Sequence, residues 1–223
     1  MKILDKGFIN LIDTMGDDRA IADAARVSYK SEAKTEEEDT RLINYLWDNK
    51  HTSPFEMGEM KFHCKLPIFV ARQWVRHRTA NINEMSGRYR KFEPEFYIPQ
   101  PANVCYQSST NKQGRGEHMT LGQGVETRED IEDVCKYAFD AYERMLERGV
   151  AKEIARMVLP TNLYTEWYWK CDLRNIFHFL TLRLDPHAQW EIRQYAEGME
   201  WYVQERFPRS WEAWSTNDHM RSL

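Results

Sequence analysis

Arginine is concentrated in one short segment of the sequence. Arg72, Arg76, Arg78, Arg88 and Arg90 follow one another closely, although the whole chain carries a formal net charge of -4. Arginine stays protonated at any working pH, and its planar guanidinium matches the oxygens of a phosphate group. A local cation cluster in an acidic chain therefore indicates a pocket for a small anion rather than a surface for nucleic acid. Taken alone, the same arginines would also fit a solvated basic helix end.

Three further residues of this segment could act on a ligand. Ser86 offers a hydroxyl, Gly87 lets a ligand approach the main chain closely, and Arg88 adds another guanidinium. A serine acts as a nucleophile only when an adjacent base activates it. His77 belongs to the same segment, but the sequence does not place it within reach of Ser86. The pattern therefore favours phosphate recognition, with Ser86 as a binding hydroxyl.

The composition limits the class of protein. A chain of 223 residues with 42% hydrophobic and 30% charged residues indicates a globular domain with a sizeable core. The mean hydropathy of -0.74 argues against a membrane span, and the first residues lack the pattern of a secretory signal. Four cysteines without C-x-x-C spacing, and histidines without an H-E-x-x-H motif, argue against a metal site. We therefore expect a soluble cytoplasmic protein with reduced thiols and no metal.

The elements that must position these residues follow from hydrophobic spacing and capping patterns. Thr35 and Glu38 form a capping-box pattern before a helix, and residues 60–66 alternate between apolar and polar side chains as a half-buried strand does. Pro67 suits the first turn of another helix. The remaining expectations for this half are helices over 17–26 and 67–78, a loop over 79–87 and a strand over 88–97.

The second half of the chain is predicted in the same way. Glycines among polar residues over 103–126 predict a long mobile surface loop. Thr127 is then expected to cap a long helix that Gly149 ends. The whole pattern predicts an α+β fold, a helix-rich single domain over residues 1–223 with a small, mostly antiparallel sheet. The other expected elements are an aromatic-rich extended segment over 163–171 and helices over 151–159, 173–184 and 186–206.

The segment from Arg76 to Tyr89, with the sequence RHRTANINEMSGRY, resembles the signature of the flavin-dependent thymidylate synthases. That signature is R-H-R, seven residues and a serine, commonly with N-E before the serine and G-R-Y after it. The similarity covers most of the chain from about Ala25 to Tyr195. The other stretches that are similar to this family are residues 51–56, 71–74, 155–160 and 182–191.

The resemblance implies a fold and an activity. Members of this family convert dUMP to dTMP, with methylenetetrahydrofolate as the source of carbon and FAD, reduced by NADPH, as the source of hydride. The family subunit assembles as a homotetramer whose active sites are built from several chains. No cysteine lies in a motif of the cysteine-dependent thymidylate synthases. We therefore expect uracil activation without a covalent bond between protein and uracil, and a redox step carried by the flavin.

The resemblance also implies roles for individual residues. The candidate catalytic residues are Arg183, at a uracil ring where cationic donors stabilise charge on carbonyl oxygens, His51, near the flavin and the folate, and Ser86, at dUMP. The residues matched to flavin positions are Ser28, Ser53, Glu56, Arg76, His77, Arg78, Asn83, Glu84, Arg174, His178, Leu182 and His187. The residues matched to dUMP positions are Gln73, Arg76, Glu84, Met85, Ser86, Gly87, Arg88, Arg156 and Arg183.

Two residues depart from the family pattern. Asn81 replaces a common serine but can still donate and accept hydrogen bonds, whereas Asp172, where some members have asparagine, would bring negative charge near an anionic cofactor.

Two alternative functions stay open. The first alternative is a flavoprotein of this fold with oxidase activity and no methylation. The second is a non-enzymatic nucleic-acid-binding protein, and the net charge of -4 counts against it.

Overall fold

The computed structural model describes residues 1–27 and 35–216 of the chain. No helix within these ranges is long and apolar enough to cross a membrane. The strands are β1 (Lys2–Ile3), β2 (Gly7–Met15), β3 (Glu59–Pro67), β4 (Asn81–Glu84), β5 (Cys105–Gln107), β6 (Arg115–His118) and β7 (Tyr164–Asp172). The α-helices are α1 (Asp18–Arg26), α2 (Glu36–Asp48), α3 (Ile68–Trp74), α4 (Leu121–Glu147), α5 (Lys152–Ala155), α6 (Leu173–Arg183), α7 (Trp190–Arg206) and α8 (Pro208–Trp214).

A five-stranded sheet with the order β1-β2-β3-β7-β4 joins the two halves of the chain. Every neighbouring pair of its strands is antiparallel. Strands β3 and β7 pair along their whole length, from Glu59 opposite Asp172 to Pro67 opposite Tyr164. A second, two-stranded sheet pairs β5 with β6. The predicted α+β class with a small antiparallel sheet is confirmed.

The alternating side chains of β3 explain how the large sheet packs. Met60, Phe62, Cys64 and Leu66 are fully buried, whereas the residues between them stay partly accessible. A strand with one face on the core requires this alternation. The main buried cluster joins these side chains to apolar residues of α3, α6 and α7. Helices α3 and α6, which carry much of the candidate site, are thus held against the sheet.

A second buried cluster lies between α4 and the segment that follows β4. Phe92, Phe96 and Ile98 pack there with Phe139 and Tyr142 of α4. The backbone N–H of Phe92 also donates to the hydroxyl of Tyr142 at 3.2 Å. Helix α4 therefore anchors the chain just after the Ser86 turn.

Side-chain caps account for several helix starts. Asp17 caps α1 by accepting from the N–H of Ala20, and the predicted capping box of Thr35 and Glu38 at the start of α2 is confirmed. Asp172 caps α6 by accepting from the N–H of Asn175 at 2.9 Å. This departure from the family pattern therefore has a structural role at the start of a helix that carries site residues.

The structure corrects the predictions around the arginine-rich segment. Helix α3 ends at Trp74 rather than near residue 78, the predicted loop over 79–87 contains β4, and the predicted strand over 88–97 makes only the isolated bridge of Phe96 with Leu163 within the described residues. The residues of β4 are all exposed and show no apolar alternation. They form a strand because they pair with β7 at the edge of the sheet. Phe92 and Phe96 reflect burial against α4, which does not require a strand, whereas Tyr89 is exposed.

The structure also corrects the predicted loop over 103–126. Its first part forms the β5–β6 hairpin, and α4 begins at Leu121, well before Thr127. Thr120 and Gln123 form the capping box of that helix, a pattern that the nearby glycines obscured. The mobility of this segment stays a prediction. Helix α7 begins at Trp190 rather than at 186, because residues 185–189 form a turn instead.

Candidate functional site

A cavity of about 410 Å³, here called the serine cavity, lies beside the turn that follows β4. Five residues that the sequence predicts at dUMP line it: Glu84, Met85, Ser86, Gly87 and Arg156. Strand β4 brings the first four to the sheet edge, and the turn after α5 brings the arginine. The fold therefore joins two stretches that are far apart in the sequence.

Gly87 determines the shape of the serine cavity. A Cβ atom at this position would lie 2.2 Å from the ring of Phe92, which is closer than real atoms approach. Phe92 is packed against α4 and cannot easily move aside. A glycine is needed here because the Phe92 ring fills the space that a side chain would occupy. This requirement holds whether or not a ligand approaches the main chain.

The hydroxyl of Ser86 has no base beside it among the described residues. Its Oγ accepts a hydrogen bond from the backbone N–H of Arg88 at 3.3 Å. The Nε2 atom of His77, the base considered from the sequence, accepts a hydrogen bond from Arg183 instead. Nearby, Thr165 donates to Oε1 of Glu84 at 2.7 Å and holds that carboxylate in place. This arrangement suits a hydroxyl that binds a ligand better than a nucleophile.

The side chain of Arg88 points away from the serine cavity. Its Nε lies 3.1 Å from Oε2 of Glu153 on α5, and both side chains are more than half exposed. Such surface ion pairs are weak, typically about 0.2–1 kcal/mol. Arg88 can therefore exchange this partner for a ligand at little cost.

A second cavity, here called the α6 cavity, has a volume of about 380 Å³. Arg174 and His178 of α6 line it with Thr52 and Trp47. The Nε of Arg174 donates to Oγ1 of Thr52 at 3.0 Å and the guanidinium lies 3.6 Å from the Glu56 carboxylate. The turn at Ser53–Met57 and α6 thus place four of the predicted flavin residues, Ser53, Glu56, Arg174 and His178, next to one another.

A hydrogen-bonded chain joins α3 to α6. The Nε of Arg183 donates to Nε2 of His77 at 3.0 Å, and its second terminal nitrogen donates to the backbone carbonyl of Gln73 at 3.2 Å. Burial and the nearby charges of Arg183 and His178 lower the pKa of His77 to about 4. Burial also lowers the pKa of Arg183. His77 is therefore neutral near pH 7 and can accept a hydrogen bond from the arginine.

A third cavity, of about 670 Å³, lies under the β5–β6 hairpin and is called the hairpin cavity. His187 and Gln189 line one side, with Arg115 of the hairpin on the other. Arg115 pairs with the buried carboxylate of Glu191, and the amide of Gln73 donates to that of Gln189. The hairpin is thus tied to the start of α7, which is in turn tied to α3.

Several other predicted site residues lie on the surface of the protein. His51 is exposed, with its ring 6.0 Å from that of Tyr45, and Ser28 lies outside the described residues. His187 is also exposed and bonds through its backbone N–H and Nδ1 to Asp185. The other exposed residues of the predicted set are Ser53, Glu56, Arg76, Arg78, Asn83, Glu84, Arg88, Arg156, Arg174, His178 and Leu182.

The structure adds residues that the sequence did not mark as site residues. Arg72 and Thr165 line the serine cavity, Thr52 lines the α6 cavity, and Arg115 lines the hairpin cavity. The arginine cluster could have indicated Arg72, and the family-like stretch 51–56 could have indicated Thr52. No sequence signal marked Thr165 or Arg115, because their contacts depend on strand pairing and on the docking of a hairpin.

Comparison with known proteins identifies the family. Residues 10–209 match the family model described as thymidylate synthase complementing protein. The chain is 56% identical over 211 residues to a flavin-dependent thymidylate synthase of Thermus thermophilus, covering 95% of this chain and 76% of that protein. It is 51% identical over 215 residues to that of Ruegeria pomeroyi, covering 95% and 71%. The chain therefore belongs to the family of flavin-dependent thymidylate synthases.

Solved structures agree with this assignment. The fold is similar to that of a UMP/dUMP methylase, PolB from Streptomyces cacaoi, in crystals bound with 5-Br UMP and with 5-Br dUMP. The TM-scores are 0.88 and 0.87 at 32% and 33% sequence identity, and the coverage is 97% and 98% of both chains. The predictions of this family, of its fold and of a flavin-dependent methyltransferase enzyme of dTMP synthesis are confirmed.

Proposed function

We propose that the chain catalyses the reductive methylation of dUMP to dTMP, with methylenetetrahydrofolate as carbon donor and FAD, reduced by NADPH, as hydride carrier. In the balanced reaction, C5 of uracil loses its hydrogen as a proton and gains a methyl group. Methylenetetrahydrofolate becomes tetrahydrofolate, NADPH becomes NADP⁺, and one proton is taken up from solvent in the net reaction. The observation that carries this proposal is the serine cavity, in which the signature residues 84–87 meet Arg156.

The serine cavity suits the nucleotide. Its volume of about 410 Å³ is within the usual range for small-molecule sites. Arg156 and Arg72 supply positive charge for the phosphate, and Ser86 supplies a hydroxyl. In the complex, Arg88 leaves its surface partner Glu153 and turns to the phosphate.

Arg183 is proposed to contact the uracil ring. Two hydrogen bonds already hold its guanidinium, so the donors that remain need no reorganisation when charge develops on a uracil oxygen. The reaction proceeds without a covalent adduct between protein and uracil. Burial raises the pKa of the thiols of Cys64, Cys135 and Cys171, which disfavours their thiolate form, and Ser86 has no base beside it in the described part of the chain.

The α6 cavity is proposed to hold part of the flavin. Its guanidinium, imidazole and hydroxyl groups, next to the Trp47 ring, fit an aromatic ligand that carries anionic groups. Arg174, His178 and Thr52 would hold the cofactor there, with Ser53 and Glu56 beside them. FAD supplies the hydride transfer when bound, while the chain binds and orients it.

We also propose a cytoplasmic homotetramer with active sites shared between chains. The candidate residues of one chain are divided among three cavities and exposed surface, whereas ligands that react with one another need a common site. An equimolar mixture of Arg156→Ala and Arg174→Ala subunits, unfolded and refolded together, should regain activity that neither variant shows alone. Light scattering should give the mass of a tetramer. A stable monomer with full activity would contradict the shared site.

The direct test is tritium release from dUMP labelled at C5, in the presence of methylenetetrahydrofolate and NADPH. Purified protein should be yellow or bind added FAD, and release should require all three substrates. Protein that binds FAD but releases no tritium would leave the oxidase alternative. Protein that binds neither FAD nor dUMP would overturn the enzyme assignment for this site.

A further inference from the structure

The middle residue of the Arg76-His77-Arg78 motif faces in the opposite direction from its neighbours. Both arginines are exposed, whereas His77 is only 9% exposed. Its ring packs against the ring of Phe179, with centroids 4.9 Å apart, and faces His178 at 5.8 Å. The motif thus divides into two exposed cations and one inward imidazole with a different role.

We propose that His77 is a positioning residue that fixes the guanidinium of Arg183 for the substrate. Its Nε2 accepts from Nε of Arg183 at 3.0 Å, while the carbonyl of Gln73 accepts from a terminal nitrogen at 3.2 Å. Two acceptors on α3 and the turn after it thus orient a side chain on α6. The other N–H groups of the guanidinium have no hydrogen-bond acceptor in the described part of the chain, so a ligand can accept from them. The inference rests on the proposed function, because Arg183 is the residue placed at uracil.

The hydrogen bond assigns the tautomer of His77. A neutral imidazole has one donor and one acceptor nitrogen, so acceptance at Nε2 places the proton on Nδ1. That Nδ1 is buried and has no hydrogen-bond partner within the described ranges. Leaving a buried N–H unpaired has a cost. This tautomer is favoured because the other would direct the Nε2–H of His77 at the N–H of the Arg183 guanidinium, which is a cation.

A pair of substitutions separates this role from direct contact with the flavin. His77→Gln keeps an acceptor oxygen at about the reach of Nε2, whereas His77→Met keeps the bulk and loses the acceptor. On FAD-loaded protein, we expect His77→Met to weaken dUMP binding at least tenfold, measured by calorimetry. His77→Gln should restore affinity to within about threefold of the parent protein. FAD affinity should stay within about threefold in both variants.

Double substitution sharpens the test. If His77 acts through Arg183, then His77→Met should weaken dUMP binding no further in an Arg183→Ala background. Arg78→Met is the matched control, because it removes an exposed neighbour of the same motif. It should weaken FAD binding and leave dUMP affinity at saturating FAD unchanged. Weaker FAD binding in both His77 variants, with unchanged dUMP affinity, would overturn the positioning role.

A spectroscopic measurement tests the geometry independently of any substrate. The ¹⁵N spectrum of His77 at pH 7, assigned by its loss in His77→Gln, should show the neutral form with its proton on Nδ1. A proton on Nε2, or a doubly protonated ring, would overturn the inference. Protein that shows the expected tautomer and binds dUMP but forms no dTMP would contradict the proposed function and leave the positioning of Arg183 standing.

Discussion

Arg183 and Arg88 are both assigned to dUMP, yet the structure holds them in opposite ways. Arg183 is partly buried, and His77 and the carbonyl of Gln73 fix its guanidinium. Arg88 is exposed, and a surface carboxylate, Glu153, is its partner. The guanidinium of Arg183 is therefore oriented before a ligand binds, whereas Arg88 must exchange Glu153 for the ligand.

The difference follows from what each arginine is proposed to contact. A group that stabilises charge during the reaction acts best when it is already oriented, since reorientation would raise the barrier. A group that binds a phosphate can move, because the strong charge of the phosphate orients it on arrival. The proposed dUMP site therefore has a rigid end, Arg183, for the uracil ring and an adaptable end, Arg88, for the phosphate.

The largest effect is expected at the rigid end. Arg183→Ala should lower kcat for dTMP formation by about 10²–10³-fold, the usual loss for a preorganised donor. It should also weaken dUMP binding by about a hundredfold, to an affinity that calorimetry still measures, while FAD binding, read by the flavin spectrum, is kept. Arg183→Lys retains charge and should recover only part of the loss, since the planar fork is missing. Unchanged dUMP affinity in Arg183→Ala would remove this residue from the site.

The next effect concerns the wall of the serine cavity. In Gly87→Ala, the new methyl group meets the Phe92 ring at 2.2 Å, so the free energy of unfolding should fall by about 1–3 kcal/mol. Gly122→Ala is the matched control, because it lies in α4 with nothing within 4 Å of the added carbon. That substitution should be neutral or slightly stabilising, since alanine favours a helix. Equal melting temperatures for the two variants would show that Phe92 gives way.

A smaller effect should appear in the pH dependence of stability. The pKa of His77 is lowered from 6.5 to about 4 by burial and by the charges of Arg183 and His178. Between these pH values His77 is protonated in the unfolded chain but neutral in the folded chain. Proton binding therefore favours the unfolded chain, and the free energy of unfolding decreases as pH falls from 6.5 towards 4. Each pKa unit corresponds to about 1.4 kcal/mol, and screening by solvent reduces the loss to about 1–2 kcal/mol.

Urea unfolding of the parent chain and of His77→Gln between pH 4 and pH 7 isolates this contribution. The difference between the two curves removes the titration of groups that both proteins share. Stability of the parent chain should fall more steeply with falling pH than that of the variant. Parallel curves would mean that His77 titrates normally and is not held by Arg183.

The smallest effect is expected at the adaptable end. Glu153→Gln removes the surface partner of Arg88 and should change the free energy of unfolding by no more than about 1 kcal/mol. Affinity for dUMP should stay equal or rise up to about threefold, because Arg88 no longer has to leave an ion pair. Weaker dUMP binding in this variant would show that Glu153 helps to orient Arg88.

Much of the fold was predictable because it depends on local interactions. The capping box of Thr35 and Glu38 and the alternation along β3 are both present in the structure. The start of α4 was missed although its capping box is local, but two other errors occur where the structure of a segment depends on a partner distant in the sequence. The polar residues of β4 become a strand only because the edge of β7 pairs with them, and Phe92 and Phe96 are buried against α4 without forming a strand.

The sequence by itself determined the family and the set of candidate residues, because a signature is a property of residue order. The tertiary structure decided what those residues face. It turned His77 inward to hold Arg183, placed Phe92 where a side chain at Gly87 would go, and paired Arg88 with Glu153. The contacts of His77 and Arg88 join atoms far apart along the chain, and Phe92 is held near Gly87 by its packing against α4. Packing of α3, α6 and α4 against the rest of the fold creates these contacts, and residue order alone does not encode them.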